Sequence, residues 1–147
     1  VLTSAAAPPQ EMLGDKVVAF ARKNLGETVG SGECAALASA ALKAAGAKTR
    51  NGKDAPNDGD YVWGEQVVLW EATPTGPKAT GKLDEIRPGD VIQYRDTKWV
   101  TKTKKGSYTG VAAHHTAIVA GVDKPAGTLA ILHQNTGGKR FVPEATL

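Results

Sequence analysis

Between 10 and 25 the apolar residues Leu13, Val17, Phe20, Ala21 and Leu25 recur three and four apart, the spacing of a helix with one buried stripe. Gly26 follows as the expected stop. A second helix is predicted to start at Ser31, a residue type that caps well. It runs through Cys34, Ala35, Ala36, Leu37 and Ala38 to Ala45, where Gly46 ends it. Cys34 then falls in its first turn. Residues 47–60 are polar and carry the turn pairs Asn51-Gly52 and Asp58-Gly59. The apolar run Val67, Val68, Leu69 is too short for its period to separate strand from helix, so 61–70 stays open between them. A Pro/Gly loop is expected at 73–81, a turn at 83–90 and strands at 91–95, 114–122 and 128–133, with Phe141 and Val142 closing the sheet.

Helices followed by strands make an α+β chain, read as one domain over 10–147 behind a flexible segment at 1–9 that looks like a linker or what processing leaves. A length of 147 residues with 41% hydrophobic content supports one modest core and argues against both two domains and wholesale disorder. No window reaches the ~18 uninterrupted apolar residues of a membrane-spanning helix. A single Cys excludes a disulfide scaffold.

The net charge of +3 is not spread evenly. Arg95, Lys98, Lys102, Lys104 and Lys105 against Asp96 give the 95–105 segment a local +4. Such a segment is expected to be a basic, solvated hairpin loop that could dock on an anionic polymer. Nucleic acid is not the expected partner, because Trp99 and Tyr108 are the only aromatics near it and no nucleic-acid module is recognisable.

A lone Cys is commonly just a small buried hydrophobe. At a helix N-terminus, however, unpaired amides and the positive end of the dipole favour thiolate, the nucleophilic form. The Gly30-Ser31-Gly32 entry would let a substrate approach closely, whereas the Glu33 carboxylate opposes a second negative charge beside it. A Cys nucleophile needs a base, and all three His residues lie in the C-terminal half. Pairing Val122 with Thr128 across the 123–127 turn sets Ala117 opposite His133 and His115 opposite Asn135. His115, His133 and Asn135 then share one face and His114 takes the other. A Cys/His zinc site lacks its usual ligand spacing, and Asp54, Asp58, Gly59 and Asp60 only faintly suggest a calcium loop, so neither metal nor cofactor is expected.

Cys34 at the head of a helix, Arg-Pro-Gly-Asp-Val-Ile-Gln-Tyr at 87–94, His-Thr-Ala-Ile-Val at 115–119 and Ile-Leu-His-Gln-Asn at 131–135, in that order, resemble the papain-like CHAP and NlpC amidase/peptidase superfamily. The resemblance implies a papain-like domain, N-terminal helices packed on an antiparallel sheet, that hydrolyses amides through a thioester. In it Cys34 corresponds to the nucleophile, His115 to the general base and acid, and His133 or Asn135 to the group that fixes the imidazole. CHAP members commonly carry Glu-Gln-Asn where His133-Gln134-Asn135 stand, while NlpC members often use His as the third residue. The residue before a CHAP nucleophile is often Gln, an oxyanion donor; an ionised Glu33 cannot donate, which leaves the Cys34 backbone N–H. The resemblance further implies a peptidoglycan stem or cross-link peptide as substrate, an anionic wall polymer at 95–105, a monomer, and a secreted or cell-envelope setting. Two other readings are a secreted effector cleaving or deamidating a target-cell protein, and a non-catalytic wall-binding module.

Overall fold

A computed structural model describes residues 9–48, 63–103, 106–137, 140, 142 and 144–146, by backbone alone at 9–12, 99–103, 108 and 144. Two helices, α1 (Pro9–Lys23) and α2 (Cys34–Ala45), precede six strands: β1 (Val68–Thr73), β2 (Gly76–Gly81), β3 (Val91–Thr103), β4 (Gly106–Asp123), β5 (Thr128–His133) and β6 (Glu144–Thr146). The last four form an antiparallel sheet in chain order, and β1 with β2 forms a separate hairpin. The expected α+β plan of helices on an antiparallel sheet is what the chain adopts.

The apolar stripes behave as their spacing requires. Val17 and Ala21 of α1 and Leu37, Ala38 and Ala41 of α2 are buried with Ile118, Ala120, Leu132 and Val142 from the sheet side. Leu25, predicted to extend the first stripe, is exposed instead, because α1 ends at Lys23 and Leu25 makes a parallel bridge to Val142. Gly46 caps α2 in the left-handed conformation, as expected. The first helical residue is Cys34 itself, with Glu33 rather than Ser31 at the N-cap. Where α1 crosses the turn before β3, Gly14 and Gly89 meet backbone to backbone. A Cβ on Gly14 would run into the Pro88 carbonyl oxygen, so the crossing demands a residue without one.

Several strand expectations need correction. The Pro/Gly stretch at 73–81 is mostly strand: β2 pairs with β1 along its whole length, Pro77 opposite Ala72, a position open to Pro because a two-stranded ribbon is all edge. The 95–105 segment is not a loop, since β3 continues to Thr103 and pairs with β4 as far as Gly106; residues 104 and 105 lie outside the described residues. The sheet is closed by β6, while Val142 bridges to Leu25 and Phe141 lies outside the described residues. Residues 49–60 of the turn-rich stretch, with the acidic residues weighed for calcium, residues 61 and 62, and the 1–8 segment also lie outside them.

The β4–β5 register decides where the imidazoles go. Near the turn the partners are Asp123 with Thr128 and Val122 with Leu129, one residue off the predicted pairing. An irregularity between Val119 and Gly121 absorbs that residue, so Ala117 stands opposite His133, as predicted.

Candidate active site

Alternation along β4 and β5 places His115 and His133 on one side of the sheet with Ala117, Val119 and Ile131. Ile118 and Leu132 go to the other side, into the helix-packed core. The two rings meet: His115 Nε2 lies 2.9 Å from His133 Nδ1, in buried surroundings, with the ring planes nearly perpendicular. His114, the alternate candidate, is exposed. Thr116, beside His115, is buried and its hydroxyl donates to Gln93 Oε1 at 3.4 Å. Tyr94, across the β3–β4 ladder, sets its ring 5.6 Å from that of His115.

Electrostatics keep this cluster neutral. Burial holds His115 below the usual imidazole range, and burial together with neighbouring His115 brings His133 down to about 4. Burial also pushes the Tyr94 phenol up to about 12. Near pH 7 both imidazoles are therefore uncharged, each with one N–H and one lone pair. One proton lies between His115 Nε2 and His133 Nδ1. If Nε2 donates, His115 Nδ1 carries the lone pair, which is the form a general base needs. The Thr136 hydroxyl also reaches His133 Nδ1, at 3.0 Å.

Cys34 is a half-buried free thiol at the first position of α2. It precedes Leu37, Ala38 and Ala41 by three, four and seven residues, so it heads the stripe that α2 turns to the sheet. Its neighbours are tied to the end of β5. Gln134 Nε2 donates to the Glu33 carbonyl at 2.9 Å, and Asn135 Nδ2 donates to Glu33 Oε2 at 2.7 Å. Arg140 holds the other carboxylate oxygen at 3.3 Å. Glu33 makes no side-chain cap, so its carboxylate does not occupy the first-turn amides of α2 that it could otherwise have covered.

Two further expectations are revised. Asn135 does not face His115 across the ladder; β5 ends at His133, and Asn135, with φ +62°, turns off the strand toward Glu33. Gly32 is not an open approach for substrate either. It is buried under Arg140, whose Cδ would stand 3.1 Å from an added Cβ. Sequence reasoning missed Gln134, Thr136 and Arg140. Their roles depend on contacts across more than a hundred residues or on a turn, and neither leaves a periodic trace. No cluster of metal-ligating side chains exists among the described residues.

Two helices, the second led by a cysteine, set on an antiparallel sheet that carries a hydrogen-bonded histidine pair, are in keeping with a domain of the cysteine proteinase fold. The chain belongs to the AIM3/BBC1 cysteine proteinase-fold domain family, which it matches over residues 8–147. It is 31% identical over 144 residues to "Altered inheritance of mitochondria protein 3" of Debaryomyces hansenii, covering 94% of this chain and 14% of that protein. No solved structure matches it.

These findings support the papain-like fold but not the CHAP or NlpC subdivision, and they overturn the cell-wall reading. The relative is a yeast protein, and a yeast has no peptidoglycan to cleave. The peptidoglycan amidase, the wall polymer docked at 95–105, the secreted or cell-envelope setting, and the effector and wall-binding alternatives that came with it all fall. Among the described residues no helix is long and apolar enough to cross a membrane.

Proposed function

We propose that this domain is a cysteine hydrolase in which Cys34 is the nucleophile, His115 the general base and acid, and His133 the group that orients His115. The buried 2.9 Å contact between His115 Nε2 and His133 Nδ1 carries the reading. A histidine whose far nitrogen is held by a second buried group is the arrangement a base needs to keep its tautomer and direction. The order Cys, His, His along the chain is also that of the NlpC pattern. Gln134 and Asn135, which directly follow His133, bond to Glu33, which directly precedes Cys34, and this tether between the end of β5 and the head of α2 supports the pairing of Cys34 with the histidines.

The chemistry follows from these groups. Cys34 passes its thiol proton to His115 Nδ1 and its sulfur attacks the acyl carbon of an amide, ester or thioester. The tetrahedral intermediate collapses, the leaving group takes the proton from His115, and a thioester to Cys34 remains. Water then attacks that thioester while His115 removes its proton, releasing the acid and restoring the thiol. The Cys34 backbone N–H supports the oxyanion, with the Glu33 carboxylate drawn aside by Asn135 and Arg140. Neutral histidines make His115 a base rather than a standing imidazolium partner to a thiolate.

Turnover of p-nitrophenyl acetate tests the reading. The wild-type chain releases nitrophenolate over many cycles, and Cys34→Ser and His115→Ala fall to the uncatalysed rate. Equal rates for wild type and Cys34→Ser would reject it.

A further inference from the structure

We infer that Gln134 is a positioning residue that sets the thiol of Cys34 against His115; this rests on the hydrolase reading above. Gln134 is fully buried, and a buried primary amide is costly unless its polar atoms are satisfied. Its oxygen accepts from Val29 N at 2.7 Å, and its nitrogen donates to the carbonyls of Val29 at 3.0 Å and Glu33 at 2.9 Å. All three bonds therefore go to the backbone of the segment that leads into α2. None is made to the sheet that ends one residue before it.

The body of α2 is held by apolar contacts, Leu37, Ala38 and Ala41 with Ile118 and Leu132. Such contacts are non-directional and tolerate a small slide of the helix along the sheet. Hydrogen bonds of fixed geometry do not. The bonds from Gln134 fall at the end of the helix where Cys34 stands, and the residue before Gln134 is His133, which touches His115. One short segment thus grips the base through His133 and the carbonyl preceding the nucleophile through Gln134. A misplacement of about 1 Å is enough to cost a reaction about a hundredfold, so this link has consequences beyond stability.

The test is the rate of alkylation of Cys34 by iodoacetamide across pH 5 to 9, followed by intact mass. It uses the whole chain as wild type, His115→Ala, Gln134→Met and the double variant. The imidazole nitrogen NMR shifts of His115 and His133 are recorded alongside. At neutral pH, Gln134→Met is expected to slow alkylation about 10- to 100-fold and to move the pH profile onto that of His115→Ala. The double variant should be no slower than His115→Ala, and the His115 to His133 signals should persist. Gln134→Glu keeps the shape and the accepted bond but has at most one O–H in place of the two donated N–H bonds, and it carries the same comparison if Gln134→Met loses its folded circular dichroism. If His115→Ala slows alkylation while the Gln134 variants keep the wild-type profile, or if the two effects multiply, Gln134 is structural only and the hydrolase reading survives. Loss of fold in both Gln134 variants would likewise assign it to the core and overturn the inference. An unchanged rate in His115→Ala would instead remove the hydrolase reading itself.

Discussion

His115 Nε2 and His133 Nδ1 share one hydrogen bond at 2.9 Å, and in the proposed mechanism that bond sets which nitrogen of His115 serves as the base. Removing the partner leaves the ring able to flip and to take the other tautomer. His133→Ala is therefore expected to lower kcat for p-nitrophenyl acetate by about one to four orders of magnitude with little change in KM. Thr136→Val, which removes only the hydroxyl 3.0 Å from the same nitrogen, should cost less. A His133→Ala enzyme with wild-type kcat would show that His115 needs no orienter.

The same pair makes stability depend on pH. His133 has its folded-state pKa brought from 6.5 to about 4, and His115 is lowered too. As pH falls below 6.5 the unfolded chain takes up these protons while the folded chain resists. The stabilisation is thus present above pH 6.5 and lost progressively down to about pH 4. A loss on the order of 2 kcal/mol over that window is expected from His133 after allowance for partial solvent screening. Urea midpoints measured from pH 7.5 to 4 should fall, and the fall should shrink in His133→Asn. A midpoint independent of pH in wild type would mean that the pair is not buried neutral.

Asn135 combines a backbone and a side-chain role that substitution can separate. With φ +62° it occupies a conformation that Gly adopts without cost and Ala adopts at about 1–2 kcal/mol. Its amide also holds the Glu33 carboxylate at 2.7 Å. Asn135→Gly should keep the stability while freeing Glu33 to move onto the first-turn amides, lowering esterase kcat. Asn135→Ala should lose both. A normal kcat in Asn135→Gly would show that Glu33 has no influence on the oxyanion site.

The crossing of α1 over the 87–90 turn gives a control remote from the thiol. Gly14→Ala places a methyl against the Pro88 carbonyl and should destabilise the fold by about 1–3 kcal/mol, read as a lower urea midpoint, with kcat per folded molecule unchanged.

How much of this was legible depended on range. The end of α2 at Gly46, a place for Cys34 in its first turn and the common face of His115 and His133 follow from local periodicity and alternation, which act over a few residues, whereas the start of α2 fell past the Ser31 cap that residue type suggested. The register survived an error of one residue at the turn only because the irregularity near Ala120 restored it before His133 was reached. Asn135 escaped the alternation argument because its positive φ ends the strand, and a period of two says nothing past a strand's end. Gln134 was passed over because its partners, Val29 and Glu33, lie more than a hundred residues away. Substrate and setting were inferred from family resemblance alone, with no residue contact behind them. They were the readings that membership in the AIM3/BBC1 family overturned.

The lifetime of an acyl group on Cys34 tests the central claim most directly. The chain is mixed with p-nitrophenyl acetate, the excess removed, and the acetylated protein followed by intact mass with the site mapped by peptide mass. The account predicts one acetyl on Cys34 that wild type and His114→Ala shed by hydrolysis, while His115→Ala retains it, since the water that cleaves the thioester needs the His115 base. Acetyl-Cys34 that persists equally in wild type and His115→Ala, or an acetyl that never forms on Cys34, would contradict it.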